Sequence, residues 1–301
     1  MNLLQRLEHY IVTNMRPLRD LYYSLPVIRE LSAANIVAKM QLVETLKLTN
    51  PHFKDPKRLL MYGAQYLSQN FEDGMIEEIF RRIPPANRSF VEIGSGTGFE
   101  NNTVSLLASG WNGWWIEGGS DNCVNLRKEL AKKPSLGKRI KVEHSLASPV
   151  NIKQLFERLE IPREVDLFSL DIDLDTYHIW AALPDFRPRV VVVEYNGGIS
   201  PSVEWISPWR PERTWDNSQV FGASLKAFEI LGRKHGYSLV GCDLTGLNAF
   251  FVRNDLVGDL FAEPFTSENH YEPVRYNLTV RYGHRPGLFD DSHDPKSHLY
   301  Q

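Results

Sequence analysis

The sequence predicts a doubly wound α/β fold, and three patterns carry that prediction. Seven short apolar runs lie between residues 90 and 255, separated by stretches of helical periodicity. Several of them, above all the four valines at 190–193, lack the polar alternation of a half-exposed strand, as parallel strands covered on both faces do. The first run leads directly into glycines at 94, 96 and 98, a turn that can reverse sharply and present bare N–H groups at the start of a helix.

Taken in order, residues 1–80 carry apolar side chains at helical spacing, in "LLQRLEHYIV", "IRELSAANIVAKMQLVETL" and "MIEEIFRRI", with Pro26, Pro51 and Pro56 as breaks. This is read as a helical N-terminal segment. The strands follow as "FVEIG", "GWWIEGG", "RIKVEHS", "VDLFSLDID", "RVVVVEYN", "GYSLVGCD" and "LNAFFVRND", in a domain spanning residues 81–255. Only "LTG" separates the last two, too short for a helical crossover, so they pair as an antiparallel hairpin at the sheet edge. Residues 256–301, rich in Pro, His, Asp and aromatics with weak periodicity, form a C-terminal extension.

Composition bounds the partners. The 301 residues are 42% hydrophobic, enough for a substantial core, and 34 Lys+Arg against 37 Asp+Glu leave a formal charge of −3. No field of that sign favours nucleic acid. No window approaches the roughly 18 apolar residues of a membrane span, and the charged start "MNLLQRLEHY" does not read as a signal peptide, so the chain is expected to be cytoplasmic. Cys123 and Cys242 are read as plain thiols, and the Asn-x-Ser/Thr triplets at Asn87, Asn101 and Asn277 as chance matches. A homo-oligomer is left open.

The glycine spacing decides which nucleotide the turn suits. A dinucleotide loop wants G-x-G-x-x-G, but position 99 is Phe and the third glycine comes one residue early. The stretch "VEIGSGTG" instead resembles motif I of class I S-adenosylmethionine-dependent methyltransferases, E/D-x-G-x-G-x-G after an apolar strand. That resemblance implies a seven-stranded Rossmann-like methyltransferase sheet ending in an antiparallel hairpin. It also implies that Gly94, Gly96 and Gly98 pass beneath the methionine part of the cofactor, that Glu92 supports the loop, and that Glu117 receives both ribose hydroxyls. A carboxylate is acceptor-only, so it suits a diol. Ser95, Asn102, Gly118, Ser145 and Asp171 are read as further cofactor contacts.

A narrower likeness covers residues 66–255. "LSQNFEDGMIEEIF", "FVEIGSGTGFENNTVSLLASGWNGWWIEG" and "FGASLKAFEILGRKHGYSLVGCDLTGLNAFFVRND" together resemble the FkbM-like methyltransferase group of polysaccharide and natural-product clusters. It implies methylation of a hydroxyl, often on a sugar, with Ser68, Gln69, Glu72 and Asp73 near the cofactor. Read from local chemistry alone, those four form an N-cap and an exposed first turn.

"SLDIDLDTYHIWAAL" sets Asp171, Asp173 and Asp175 at alternate positions, the first two on a buried strand and all on one side of the extended chain. Glu194 and Asn196 end the next strand at the same rim. Oxygen ligands there would suit Mg²⁺, and "IDLDTYHIW" resembles the D-x-D-x-Y segment of metal-dependent sugar O-methyltransferases, making Asp173 and Glu194 candidate ligands. The likeness is incomplete, since Tyr195 stands where those enzymes have a second consecutive acid. The alternative is a metal-free polar rim. A hydroxyl acceptor needs a base, and His178 is the first candidate, with Asp173 the second.

Between the fifth strand and its helix lie about 29 residues with three tryptophans. There Trp205, Trp209 and Trp215 are candidates to stack on a sugar, Arg210 and Arg213 to hold an anionic group, and Asn196 to contact substrate. The expected activity is therefore S-adenosylmethionine-dependent O-methylation of a sugar or sugar-containing metabolite. The competing expectations are a non-sugar hydroxyl acceptor and a non-catalytic cofactor-binding module.

Overall fold

The computed structural model describes residues 25–211, 218–276 and 278, which fall into two bodies. The first, up to Pro51, contains helix α1 (Pro26–Thr49). Proline in its first turn has its φ preset for a helix, and Asn50, held extended by the proline that follows, ends it. The second body begins at His52 and holds everything described below.

All seven expected strands form: β1 (Ser89–Ile93), β2 (Asn112–Glu117), β3 (Ile140–His144), β4 (Leu167–Leu170), β5 (Val190–Glu194), β6 (Tyr237–Cys242) and β7 (Asn248–Arg253). They make one sheet in the order β3-β2-β1-β4-β5-β7-β6. The first five are parallel, and β7 runs antiparallel to both β5 and β6. This is the Rossmann-like methyltransferase arrangement, with the β6–β7 hairpin at one edge. The order reverses between β1 and β4, and at such a switch point the loops diverge and leave a crevice at the carboxyl ends of the strands.

Helices α2 (Glu72–Arg82), α3 (Val104–Ala108), α4 (Ser120–Ala131) and α5 (Pro134–Gly137) supply apolar residues to one face. There Met75, Ile76 and Ile79 pack with Phe90, Trp115, Leu167, Val192 and Phe250. Helices α6 (Ile152–Arg158), α7 (Thr176–Ala181) and α8 (Leu225–His235) line the other, where Trp180 and Phe228 join Val91, Phe168, Val191 and Phe251. Period-two alternation sorts each strand between these cores. It therefore puts Glu92, Glu117 and Glu194 on the α2 face, each beyond the last apolar residue that its strand gives to that face.

The sheet body starts well ahead of the boundary read at residue 81, because α2 and the 3₁₀ turn Leu59–Tyr62 belong to its core. The guanidinium of Arg82 fastens this region, donating to the carbonyls of Pro56, Lys57 and Leu260 and pairing with buried Glu78. The body also continues past residue 255 through α9 (Asn254–Val257) and α10 (Ser267–His270), with Ser267 bound to Glu229 and the Tyr271 hydroxyl donating to the Gly197 carbonyl. No described helix is long and apolar enough to cross a membrane.

Candidate active site

The glycine turn follows β1 at the switch point. Gly94 has φ +87°, and a Cβ on it would lie 1.7 Å from the Asp171 carbonyl oxygen, so glycine lets the β1 and β4 exits touch. A Cβ on Gly98 would meet Leu126 at 2.6 Å. Gly96 differs: its φ is +55°, and a Cβ there would find nothing within 4 Å. Its N–H donates to Glu117 Oε2 at 2.7 Å, while Glu117 Oε1 accepts from the Gly119 N–H at 2.8 Å and from Asn122 Nδ2 at 3.2 Å. The expected cofactor contacts at the ends of β2 and β3 converge here. The Ser145 N–H donates to the Glu117 carbonyl, and His144 Nε2 contacts the Gly118 carbonyl at 3.1 Å.

Beneath the turn, Glu92 is buried and saturated. Its carboxyl accepts from the Asn101 side chain, the Asn102 and Thr103 N–H groups, and the Thr103 and Ser169 hydroxyls. Burial pushes its pKa up to about 7 against the pull of those donors. Glu92 thus ties the segment after the glycines to β1. Asn102 serves the same network, its side chain donating to Ser169 Oγ. Two atoms beside it stay unpartnered, Ser95 Oγ and Asn101 Oδ1.

The acidic segment departs from the expected geometry. β4 stops at Leu170, so Asp171 and Asp173 leave the sheet instead of continuing it. Asp173 turns left-handed at φ +46°, which breaks the alternation, and Asp175 takes the cap position of α7 without a side-chain capping bond. The Asp171 and Glu194 carboxyls lie close enough to perturb each other's ionisation, with Asp173 beside them. Burial and the neighbouring Asp173 charge raise Asp171 to about 6; burial, then Asp171 and Asp173, raise Glu194 well above the carboxylate range. Among the described residues no group of three or more His, Cys, Asp or Glu side chains is arranged to hold a metal ion, so Mg²⁺ on Asp173 and Glu194 is not supported.

Other candidates are drawn into supporting roles. His178 Nε2 lies 2.7 Å from the Ser207 carbonyl and so donates to it, pinning the loop after β5 to α7. Asn196 is buried, donates to the Gln219 and Phe221 carbonyls and accepts from the Gly198 N–H, which fixes the root of that loop. The loop folds back on itself where Ile206 bridges Ala223. Arg210 is exposed, Trp205 and Trp209 are half-buried, and Arg213 and Trp215 lie outside the described residues.

Nor is the turn before α2 an exposed first turn. Ser68, Glu72 and Asp73 are buried. Asp73 Oδ2 accepts from the N–H groups of Tyr66, Leu67 and Ser68, at 2.7 to 2.8 Å. Glu72 accepts from the Asn70 N–H and side chain and from Asn248 Nδ2 at 2.7 Å. Burial, then the nearby Asp243, lifts Glu72 to about 8. Sequence reading missed Asn70, Asn248 and Asp243 altogether. Asn248 opens β7 directly opposite Glu194, a pairing that only the sheet register reveals.

The rim fits a nucleotide-like cofactor with a methionine part on two observations. Gly96 leaves open the one position of the turn that a side chain would fill, and Ser95 Oγ beside it is buried without a partner. Gly94, Gly96, Glu117, Gly118 and Ser145 are the residues that could hold such a group. No family model matches the chain, and no curated protein matches it. Among solved structures it is similar to the methyltransferase domain of a bacterial protein, CtHen1-C, at TM-score 0.40 and 15% identity over 60% of this chain and 97% of that one. A magnesium protoporphyrin IX methyltransferase from Synechocystis PCC 6803 with bound SAM aligns at 0.39 and 11% over 71% and 97%. The glycopeptide N-methyltransferase MtfA complexed with SAM aligns at 0.36 and 11% over 59% and 86%. Likenesses this remote give this chain neither activity nor substrate.

Proposed function

We propose that this chain is an S-adenosylmethionine-dependent O-methyltransferase acting on a hydroxyl of a sugar or sugar-containing metabolite in glycan biosynthesis. The observation that carries the reading is the bond from the Gly96 N–H to Glu117 at the one glycine with open space over it. Bound there, the cofactor supplies an electrophilic methyl group on a sulfonium. With three donors already on Glu117, one of its roughly four acceptor sites stays free, on Oε2, to take a ribose hydroxyl, and Ser95, Gly118, Ser145 and Asp171 surround the same turn.

An unactivated hydroxyl loses one proton as its oxygen becomes an ether, and some group has to take it. Asp173 suits this better than His178, whose Nε2 is engaged. Asp173 is open to solvent on one side and shielded on the other, and that shielding raises its pKa. Its left-handed backbone is the kind of strain that persists at functional turns. Half-buried Trp205 and Trp209, in the loop after β5, support a sugar acceptor through their ring faces.

Calorimetry with S-adenosylhomocysteine tests the cofactor, and a folded protein that does not bind it removes the reading. For the base, Asp173→Asn should lower kcat about 100- to 10,000-fold while cofactor affinity stays within about threefold. Wild-type turnover should fall as pH drops through the raised pKa of Asp173, since only the carboxylate accepts a proton. Full activity in Asp173→Asn would return the role to another group.

A further inference from the structure

The carboxyls along the rim have no cationic partner. From Glu117 through Glu92, Asp171, Asp173 and Glu194 to Glu72, none pairs with a Lys or Arg among the described residues; their partners are backbone N–H groups, amides, hydroxyls and one another. A second observation sits at the β5–β7 end. Asn70 and Asn248 both turn their NH₂ groups onto Glu72, and this leaves Asn70 Oδ1 and Asn248 Oδ1 buried without a donor. Asp73 Oδ1 is likewise buried and unpartnered, its other oxygen taking three backbone N–H groups. Asn70, Asp73 and Asn248 are each at most 4% exposed.

Every one of these orphaned atoms is an acceptor. Buried acceptors without donors are costly, so what is missing there is a donor. Glu194 faces Asn248 across the strand pair, where opposed side chains stand about 5 Å apart at Cβ, and it opens to the rim. This corner lies two to three strands from the glycine turn, roughly 10 to 15 Å at sheet spacing, on the acceptor side rather than under the turn.

Resting on the methyltransferase reading above, we propose that the acceptor is a cationic, amine-bearing molecule whose ammonium group is held at the corner of Glu194, Asn248 and the Asn70–Asp73 turn. An ammonium offers three donors for the unpartnered oxygens, and its positive charge offsets the burial and mutual repulsion that keep Glu194 protonated in the empty corner, so Glu194 ionises as the cation binds. Held by carboxylates it stays protonated and is not a nucleophile, so a hydroxyl of the same molecule receives the methyl group and its proton goes to Asp173. The rim selects against anionic acceptors by the same charge.

The test uses the full chain loaded with S-adenosylhomocysteine and pairs of probes that differ in charge alone. Glucosamine is titrated against glucose and glucuronate, and ethanolamine against ethylene glycol, by calorimetry. The amines should bind at least tenfold more tightly than their neutral twins, and glucuronate should not bind. Glu194→Gln, nearly isosteric, should reduce that preference by about 10- to 100-fold, the loss of one charge-assisted contact. Asn248→Ala should weaken amine binding without affecting the cofactor. Equal binding of amine and neutral twin, or an amine preference unchanged in Glu194→Gln, overturns the inference. Failure of S-adenosylhomocysteine to bind at all is a separate result and overturns the methyltransferase reading instead.

Discussion

The two ends of the carboxyl rim differ in how far their polar groups are satisfied. At the β1–β2 end, Glu92 accepts from five donors and Glu117 from three, so the turn is set before any ligand arrives. At the β4–β7 end, Asp171 and Glu194 lean on each other, and the amide oxygens around Glu72 have no partner. Both ends keep buried unpartnered atoms, Ser95 Oγ and Asn101 Oδ1 at the first and Asn70 Oδ1, Asp73 Oδ1 and Asn248 Oδ1 at the second, but only at the first do the carboxylates all accept from several donors.

The largest expected effect separates the glycines that build the first end from the one that serves it. Gly94→Ala forces a methyl into the Asp171 carbonyl and should cost more than about 3 kcal/mol or abolish folding. Gly96→Ala meets no neighbour, so denaturant titration should show only the roughly 1 to 2 kcal/mol of a left-handed alanine, together with a clear loss of S-adenosylhomocysteine binding. If the two variants are equally unstable, the division between scaffold and cradle is wrong.

Next in size, Glu117→Ala removes charge-assisted hydrogen bonds worth about 2 to 3 kcal/mol, or roughly 30- to 150-fold in cofactor affinity by calorimetry. Unchanged affinity in a folded variant would take Glu117 out of the site.

A further effect probes both ends through pH. Glu72 and Glu92 have folded pKa values of about 8 and about 7, above their usual 4.5. The folded protein therefore holds more protons than the unfolded chain between pH 4.5 and 7 or 8. Stability is fully present below 4.5 and declines as pH rises, by at most about 1.4 kcal/mol per unit per group. Thermal unfolding from pH 5 to 8.5 should show that decline, with the segment above pH 7 flattened in Glu72→Gln. A flat wild-type profile would mean that Glu72 is ionised throughout. Smallest of all, exposed Arg210→Ala should change stability by less than about 0.5 kcal/mol.

The same contrast explains what could be read without a structure. The seven strands, the edge hairpin and the Gly94–Gly98 turn follow from local patterns, since apolar runs and glycine spacing act over a few residues. Loop support by Glu92 came from the motif I resemblance, and its donors combine neighbours in the chain, Asn101 to Thr103, with Ser169, 77 positions away. Of the two readings of Asp73, the exposed helix start fails, since a capping pattern does not say which backbone segment will fold against it. His178 was chosen for its place after the acidic cluster, but its partner Ser207 is 29 residues away on a loop without periodicity. Asn248 was invisible for the same reason. Burial made by contacts distant in the chain leaves no local signature.

The bond from Asn248 to Glu72 joins residues 176 positions apart and bears on how the molecule is made. During synthesis, Glu72 and the Asn70–Asp73 turn leave the ribosome long before β7 exists. At about 5 to 20 residues per second they wait on the order of ten seconds or more for the strand that closes their corner. Through that interval β5 lacks its antiparallel neighbour and Glu72 lacks its far partner. A truncated chain ending before residue 248 would stall in that state, with a strand edge able to pair with another chain. The last hairpin thus covers that edge and completes the Glu72 corner in one step, and aggregation of chains cut before residue 248 is the expected sign of its absence.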